Sequence, residues 1–163
     1  MMNCKIEFYQ QQYAVEVYKF FEDFQDYLVN LDPLKRLKRI PGFGEKVLEK
    51  TVKEVAQKQG VFYVALVGDK VVGFVVGVLE GQSDEGLLNA HPGIMGRVTE
   101  LYVDDSFRGQ GIGTKLMSKV EQYLKRKDCD YIWVEVFLPN VKTHDLYKKL
   151  GYQDRDIDMI KKL

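Results

Sequence analysis

The run Val98 to Thr114, VTELYVDDSFRGQGIGT, holds the residues whose types and spacing could do chemistry. Its end, Arg108-Gly109-Gln110-Gly111-Ile112-Gly113-Thr114, opens into a strongly amphipathic segment, which predicts a glycine-rich turn feeding a helix. The first amides of a helix have no internal acceptor and sit at the positive end of its dipole. Glycines let an anion approach the main chain closely, and Arg108 adds a cation. The chemistry this suits is phosphate binding, although an ordinary glycine-rich turn would use the same residues. The P-loop spacing is not met, because Gly113 is followed by Thr114 and the position five before it is Arg108. The dinucleotide fingerprint fails too: counted from Gly109, its sixth position is Thr114. What remains is R-x-x-G-x-G between a strand and a helix.

Two carboxylates lie in segments that read as strands. Alternation puts Glu100, in Arg97–Val103, on one face with Val98 and Tyr102. It puts Glu135, in Tyr131–Leu138, with Tyr131, Trp133 and Phe137. An acid among aromatics is the odd member of its face and a candidate proton carrier. Solvent could equally receive Glu100, and a helix lysine could pair with Glu135. Cys129 stands between Asp128 and Asp130, which raise a thiol's pKa and blunt it as a nucleophile. Asp104 and Asp105 read as turn residues, His144 as a solvated helix residue and His91 as part of a loop.

The elements that must hold these residues are legible from periodicity. Lys5–Tyr9 alternates as a short strand with Ile6 and Phe8 on one side. Val17, Phe21, Phe24 and Leu28 mark a helix from about Tyr13 to Val29. Asp32-Pro33 reads as a helical restart before the basic stretch Lys35–Arg39. Pro41-Gly42 breaks the pattern, and a helix follows over Glu45–Lys58 with Val47, Leu48, Val52 and Val55 inward. Val61–Val67, Gly68-Asp69 and Val71–Leu79 make a hairpin. Glu80–Gly96 reads as a long loop of the kind that is functional or mobile. The best helix is Gly111–Lys127, with Ile112, Leu116, Val120 and Leu124 as its stripe. A short helix over Val141–Leu150 closes at Gly151, and a last strand or two is expected between Tyr152 and Ile160. Strands alternating with helices imply an α/β or α+β domain.

Composition narrows the function. A chain of 163 residues fits one domain, here residues 1–163, and a hydrophobic share of 45% supplies its core. Lys+Arg and Asp+Glu are both 24, so no net charge draws the chain to nucleic acid or anionic lipid. Cys4 and Cys129 form no disulfide framework, and with His91 and His144 far apart in sequence no metal site is expected. The longest apolar stretch, Val71–Leu79, is too short to span a membrane. Without a leader pattern at the start, a soluble cytoplasmic protein is the expectation.

The strand, R-x-x-G-x-G turn and helix resemble motif A of the Gcn5-related N-acetyltransferases. Asn140 following the strand of Glu135, and Tyr147-Lys148-Lys149-Leu150-Gly151-Tyr152, resemble that family's ending, so the likeness spans Arg97 to Tyr152. It implies a mixed, mostly antiparallel sheet whose strands at 97–103 and 130–138 splay apart. It implies that acetyl-CoA binds there, its pyrophosphate on Arg108, Gly109, Gln110, Gly111, Ile112, Gly113 and Thr114. Its pantetheine arm would pair with the main chain of Leu101, Tyr102 and Val103, and Asn140 would contact it from the next segment. The implied activity is N-acetyl transfer to a primary amine of a small molecule or a protein, by direct attack in a ternary complex. Tyr147 would assist the departing thiolate, and Glu100 or Glu135 would serve as base. Different outcomes are a CoA-binding module without turnover, or transfer of a longer acyl group. The acceptor's identity, and whether the chain forms a homodimer, are left open.

Overall fold

The computed structural model describes residues 3–162. Its sheet has five strands in the order β1-β2-β3-β4-β5: β1 (Cys4–Phe8), β2 (Val61–Val67), β3 (Lys70–Glu80), β4 (Met95–Val103) and β5 (Tyr131–Val134). β1 to β4 pair antiparallel, and β5 joins β4 in parallel. The helices are α1 (Ala14–Leu31), α2 (Phe43–Gln57), α3 (Asp84–Asn89), α4 (Ile112–Arg126) and α5 (Val141–Lys149). The mixed sheet with flanking helices is the architecture expected.

β2 and β3 are buried on both faces, which explains their unbroken apolar runs. On one face, Val17, Phe20 and Phe21 of α1 and Leu48 of α2 meet Phe62, Val64, Phe74, Val76 and Tyr102. On the other, Ile112, Leu116, Met117, Val120 and Leu124 of α4 meet Tyr63, Ala65, Val72, Val75 and Val98, with Tyr147 of α5 at the margin. Each fully buried aliphatic side chain of this kind contributes about 1.5–3 kcal/mol.

Several local expectations are corrected. Asp32-Pro33 does not restart a helix: the Asp32 carboxylate accepts from the amides of Leu34 (2.9 Å), Arg36 and Leu37 (2.8 Å), folding the chain into a turn. Val52 lies outward at 41% exposure, and Thr51 takes the inner position beside Leu48. Phe8 ends β1 exposed, resting on the Tyr63 ring. The loop from Glu80 contains α3, whose Ser83 side chain accepts from the Gly86 amide at 3.0 Å. β5 stops at Val134 and does not run on to Leu138. No strand follows Tyr152 among the described residues, and 153–162 are exposed.

Candidate active site: a cleft between diverging strands

The cleft begins where β4 and β5 part. Their pairing runs from Met95↔Tyr131 to Val98↔Val134 and ends there, while β4 continues alone to Val103. At that point β4 carries a bulge, since Val76 of β3 faces Glu100 and Gly77 faces Val98, leaving Thr99 as the extra residue. The Thr99 hydroxyl is buried and has no hydrogen-bond partner. Beyond the bulge the Asp104 amide donates to Val72 O at 2.9 Å, which by strand alternation turns the main chain of Tyr102 toward β3. Leu101 and Val103 therefore present theirs to the open side. Val103 O indeed accepts from Arg108 Nε at 2.8 Å, away from β3.

The bulge overturns one expectation. Val98 does not share a face with Glu100. It packs on the α4 side, whereas Glu100 pairs with Val76 and Tyr102 with Phe74, both on the α1/α2 side. One inserted residue breaks the period of two, and that shift turns the Glu100 carboxylate toward α2.

At the wide end of the cleft the main chain is shaped for an anion. Gly109 and Gly111 adopt φ of 75° and 78°, in the left-handed region that favours glycine, and Gly111 caps α4. Among the described residues, no protein group accepts from the amides of Gly109 to Thr114, and the first donation of the helix is from Lys115 to Gly111 O. Ile112 is buried and anchors the first turn. Gly113 brings α4 against α5: a Cβ there would lie 3.4 Å from Leu146 Cδ2. Arg108 is held, its guanidinium pairing with Asp105 at 2.7 Å and lying over the rings of Tyr102 and Tyr27. Gln110 is exposed, reaching Ser106 O at 3.5 Å, and Asp104 accepts from the Ser106 amide as a turn residue.

Glu100 on β4 and Tyr147 on α5 are both withdrawn from solvent. Glu100 is partly buried and burial pushes its carboxyl up to about 7. Nearby Glu54 adds to the rise, and Lys50 and Arg97 oppose it. The Tyr147 hydroxyl is pushed up to about 12, first by burial and then by the Glu100 charge. The Tyr147 ring leans on Tyr152 with centroids 5.6 Å apart. Glu135 is elsewhere. Its carboxylate is 62% exposed and pairs with Arg97 at 2.6 Å, on the face expected with Trp133 but paired to a strand arginine, not a helix lysine. Asn140 is buried at the start of α5, where its Oδ1 accepts from Tyr27 of α1 at 3.3 Å. Burial, with Asp130 and Asp128, raises the Cys129 thiol as expected.

Tyr27, Arg97 and Thr99 were not singled out in the sequence. Arg97 lies over Trp133, 4.7 Å to the ring centroid, and its guanidinium reaches Glu80 as well as Glu135. A charged residue inside a strand was the available signal. Nothing in the sequence marked Tyr27, which reaches the cleft only by packing. Among the described residues there is no cluster of metal-ligating side chains, and no helix is long and apolar enough to cross a membrane.

A family model described as "Acetyltransferase (GNAT) family" matches residues 17–152. The chain belongs to this family. An uncharacterized N-acetyltransferase of Methanocaldococcus jannaschii is 33% identical over 97 residues, 59% of this chain and 54% of that one. The chain thus spans about half the length of that curated relative. Thialysine N-epsilon-acetyltransferase of Mus musculus is 44% identical over 55 residues, 34% of this chain and 32% of that protein. Among solved structures, a Bacillus halodurans protein superposes with a TM-score of 0.84 at 18% identity, covering 98% and 99% of the two chains. A GNAT-family acetyltransferase of Staphylococcus aureus gives 0.72 at 20%, covering 94% and 87%. Both solved structures share the fold over nearly the whole chain.

Proposed function

We propose that this GNAT-family protein is an acetyl-CoA-dependent N-acetyltransferase acting on a primary amine, by direct attack in a ternary complex. One observation carries the reading: where β4 and β5 part, the start of α4 offers unpaired amides from Gly109 to Thr114. The residues fit the cosubstrate. Amides from Gly109 to Thr114 suit a pyrophosphate, and the main chain of Leu101 with the amide of Val103, whose carbonyl accepts from Arg108, suits an extended arm carrying its own amides. Bound acetyl-CoA would supply the thioester carbonyl that the amine attacks and the thiol that leaves.

The chain's own groups do the proton work. A primary ammonium with a pKa of ~10 must lose its proton to attack. Glu100, held at about 7, is half ionised near neutral pH and is the base of choice, directly or through water. Glu135 is exposed and paired with Arg97. Tyr147 stands at about 12, while a thiol leaves with a pKa of ~8.5. Full proton transfer from the phenol would be uphill by ~5 kcal/mol, so Tyr147 acts by donating a hydrogen bond to the growing thiolate. Cys129, with its raised thiol, is outside this scheme.

The test is calorimetric titration with acetyl-CoA, followed by a panel of small amines and peptide amino groups assayed by CoA release. Binding with turnover on at least one amine is expected. Binding without turnover on any of them would make the protein a CoA-binding module, and no binding would remove the reading altogether.

A further inference from the structure

Tyr27 reaches the cleft from α1, although the proton work described above gives it no part. Phe20, Phe24 and Tyr27 recur at steps of four and three, so they share one face of α1. The first two pack on Tyr102 of β4, with ring centroids 5.1 and 6.1 Å away. Tyr27 continues that stripe and meets both walls. On the β4 side the Arg108 guanidinium lies over its ring, 5.7 Å from the centroid, and over the Tyr102 ring at 5.5 Å. On the α5 side its hydroxyl donates to Asn140 Oδ1 at 3.3 Å. β4 and β5 no longer pair past Val98 and Val134, so Tyr27 ties together two walls that the sheet has let go. Asn140 is also unusual. An asparagine just before a helix ordinarily caps it with its side chain, yet Asn140 makes no such bond to α5 and is only 4% exposed. Its main chain is committed, the amide donating to Phe137 O at 2.7 Å and the carbonyl accepting from Thr143 and His144. With Oδ1 taken by Tyr27, what the side chain has left to offer is its NH2 group.

We propose that Tyr27 is a positioning residue for acetyl-CoA: it fixes the Asn140 carboxamide so that the NH2 group donates to a carbonyl of the pantetheine arm. This rests on the acetyl-CoA reading given above. The two ends of a carboxamide have nearly the same shape, so packing alone does not choose between them. The Tyr27 hydroxyl does choose, by giving its proton to the oxygen end. An amide turned the other way would set its oxygen against the carbonyl of the arm and lose the bond. The ring of the same residue steadies Arg108, whose Nε is spent on Val103 O and whose Nη1 pairs with Asp105. One side chain of α1 thereby serves both a neutral donor for the arm and the cation beside the phosphate turn.

The experiment is a double-mutant cycle read by calorimetric titration with acetyl-CoA, using the full chain, Tyr27→Phe, Asn140→Ala and the double variant. Tyr27→Phe keeps the ring over Arg108 and removes only the hydroxyl, and melting curves will show that each variant is folded. Tyr27→Phe is expected to weaken acetyl-CoA binding ~3–10-fold, the size of one hydrogen bond. In the Asn140→Ala background the same change is expected to cost less than about twofold, because there is no amide left to orient. A merely structural role for Tyr27 would cost affinity equally in both backgrounds, so additive losses overturn the proposal. A Tyr27→Phe protein within about twofold of wild type overturns it as well, while wild-type binding leaves the acetyl-CoA reading standing. A wild type that does not bind acetyl-CoA removes that reading and this proposal with it.

Discussion

Glu100→Gln should make the protein more stable and less active at once, and the stability gain should appear only above a definite pH. The folded carboxyl stands at about 7 against an ordinary 4.5, because burial and Glu54 outweigh Lys50 and Arg97. A raised folded value means that the folded state holds this proton more tightly than the unfolded chain does. The contribution to stability is complete below 4.5, is lost as pH rises toward about 7, and is constant above. The interval corresponds to ~3 kcal/mol. Glutamine keeps the shape and has no charge to bury, so its advantage should be near zero at pH 4 and reach up to ~3 kcal/mol at pH 8. For a domain of this size that is a difference in melting temperature of ~6–12 °C. Differential scanning fluorimetry of both proteins across that range needs no knowledge of the acceptor. A melting difference that stays flat with pH would refute a buried, charge-intolerant Glu100. Once an amine is found, the same variant should lose ~10²–10⁴-fold in kcat near neutral pH and recover in part at alkaline pH, where the amine deprotonates unaided. Equal loss at every pH would assign Glu100 a structural role.

Tyr147→Phe should lower kcat by ~10²-fold or more with little change in acetyl-CoA affinity, since the ring packing against Tyr152 is kept and only the transition-state hydrogen bond goes; steady-state kinetics beside a titration will decide, and a loss within about threefold would leave Tyr147 as a packing residue. Gly111→Asp should bind acetyl-CoA at least ~10-fold more weakly than Gly111→Asn, because both side chains meet open space and share the strain of the 78° φ, while only aspartate places a like charge at the phosphate site; equal affinities by calorimetry would remove the anion site from this turn. Glu135→Gln should leave the melting temperature nearly unchanged at every pH, since an exposed pair with Arg97 contributes only ~0–1 kcal/mol, and it should spare the pH profile of kcat; a profile shifted as for Glu100→Gln would move the base to Glu135.

The local chemistry of the chain was legible in its sequence. Glycine at 109 and 111 requires left-handed backbone, the stripe from Ile112 to Leu124 requires a buried helix face, and together they announce an exposed helix N-terminus after a strand. These are short-range consequences of sterics and periodicity, and they needed no tertiary information. The same holds for the β2–β3 hairpin, whose apolar runs reported burial on both faces. What tertiary structure decided was direction and company. The bulge at Thr99 turned Glu100 away from Val98 and toward α2, and a period of two cannot reveal an inserted residue. The exposure of Glu135 followed from β5 being an edge that neither α1 nor α2 covers, although its sequence face resembled that of a buried strand. Asp32 bound the amides of its own loop instead of beginning a helix, a competition that local propensity leaves balanced. The place of Tyr147 on the α4 side of the sheet follows from α5 lying against α4 at Gly113, a contact between distant positions that no local period reports.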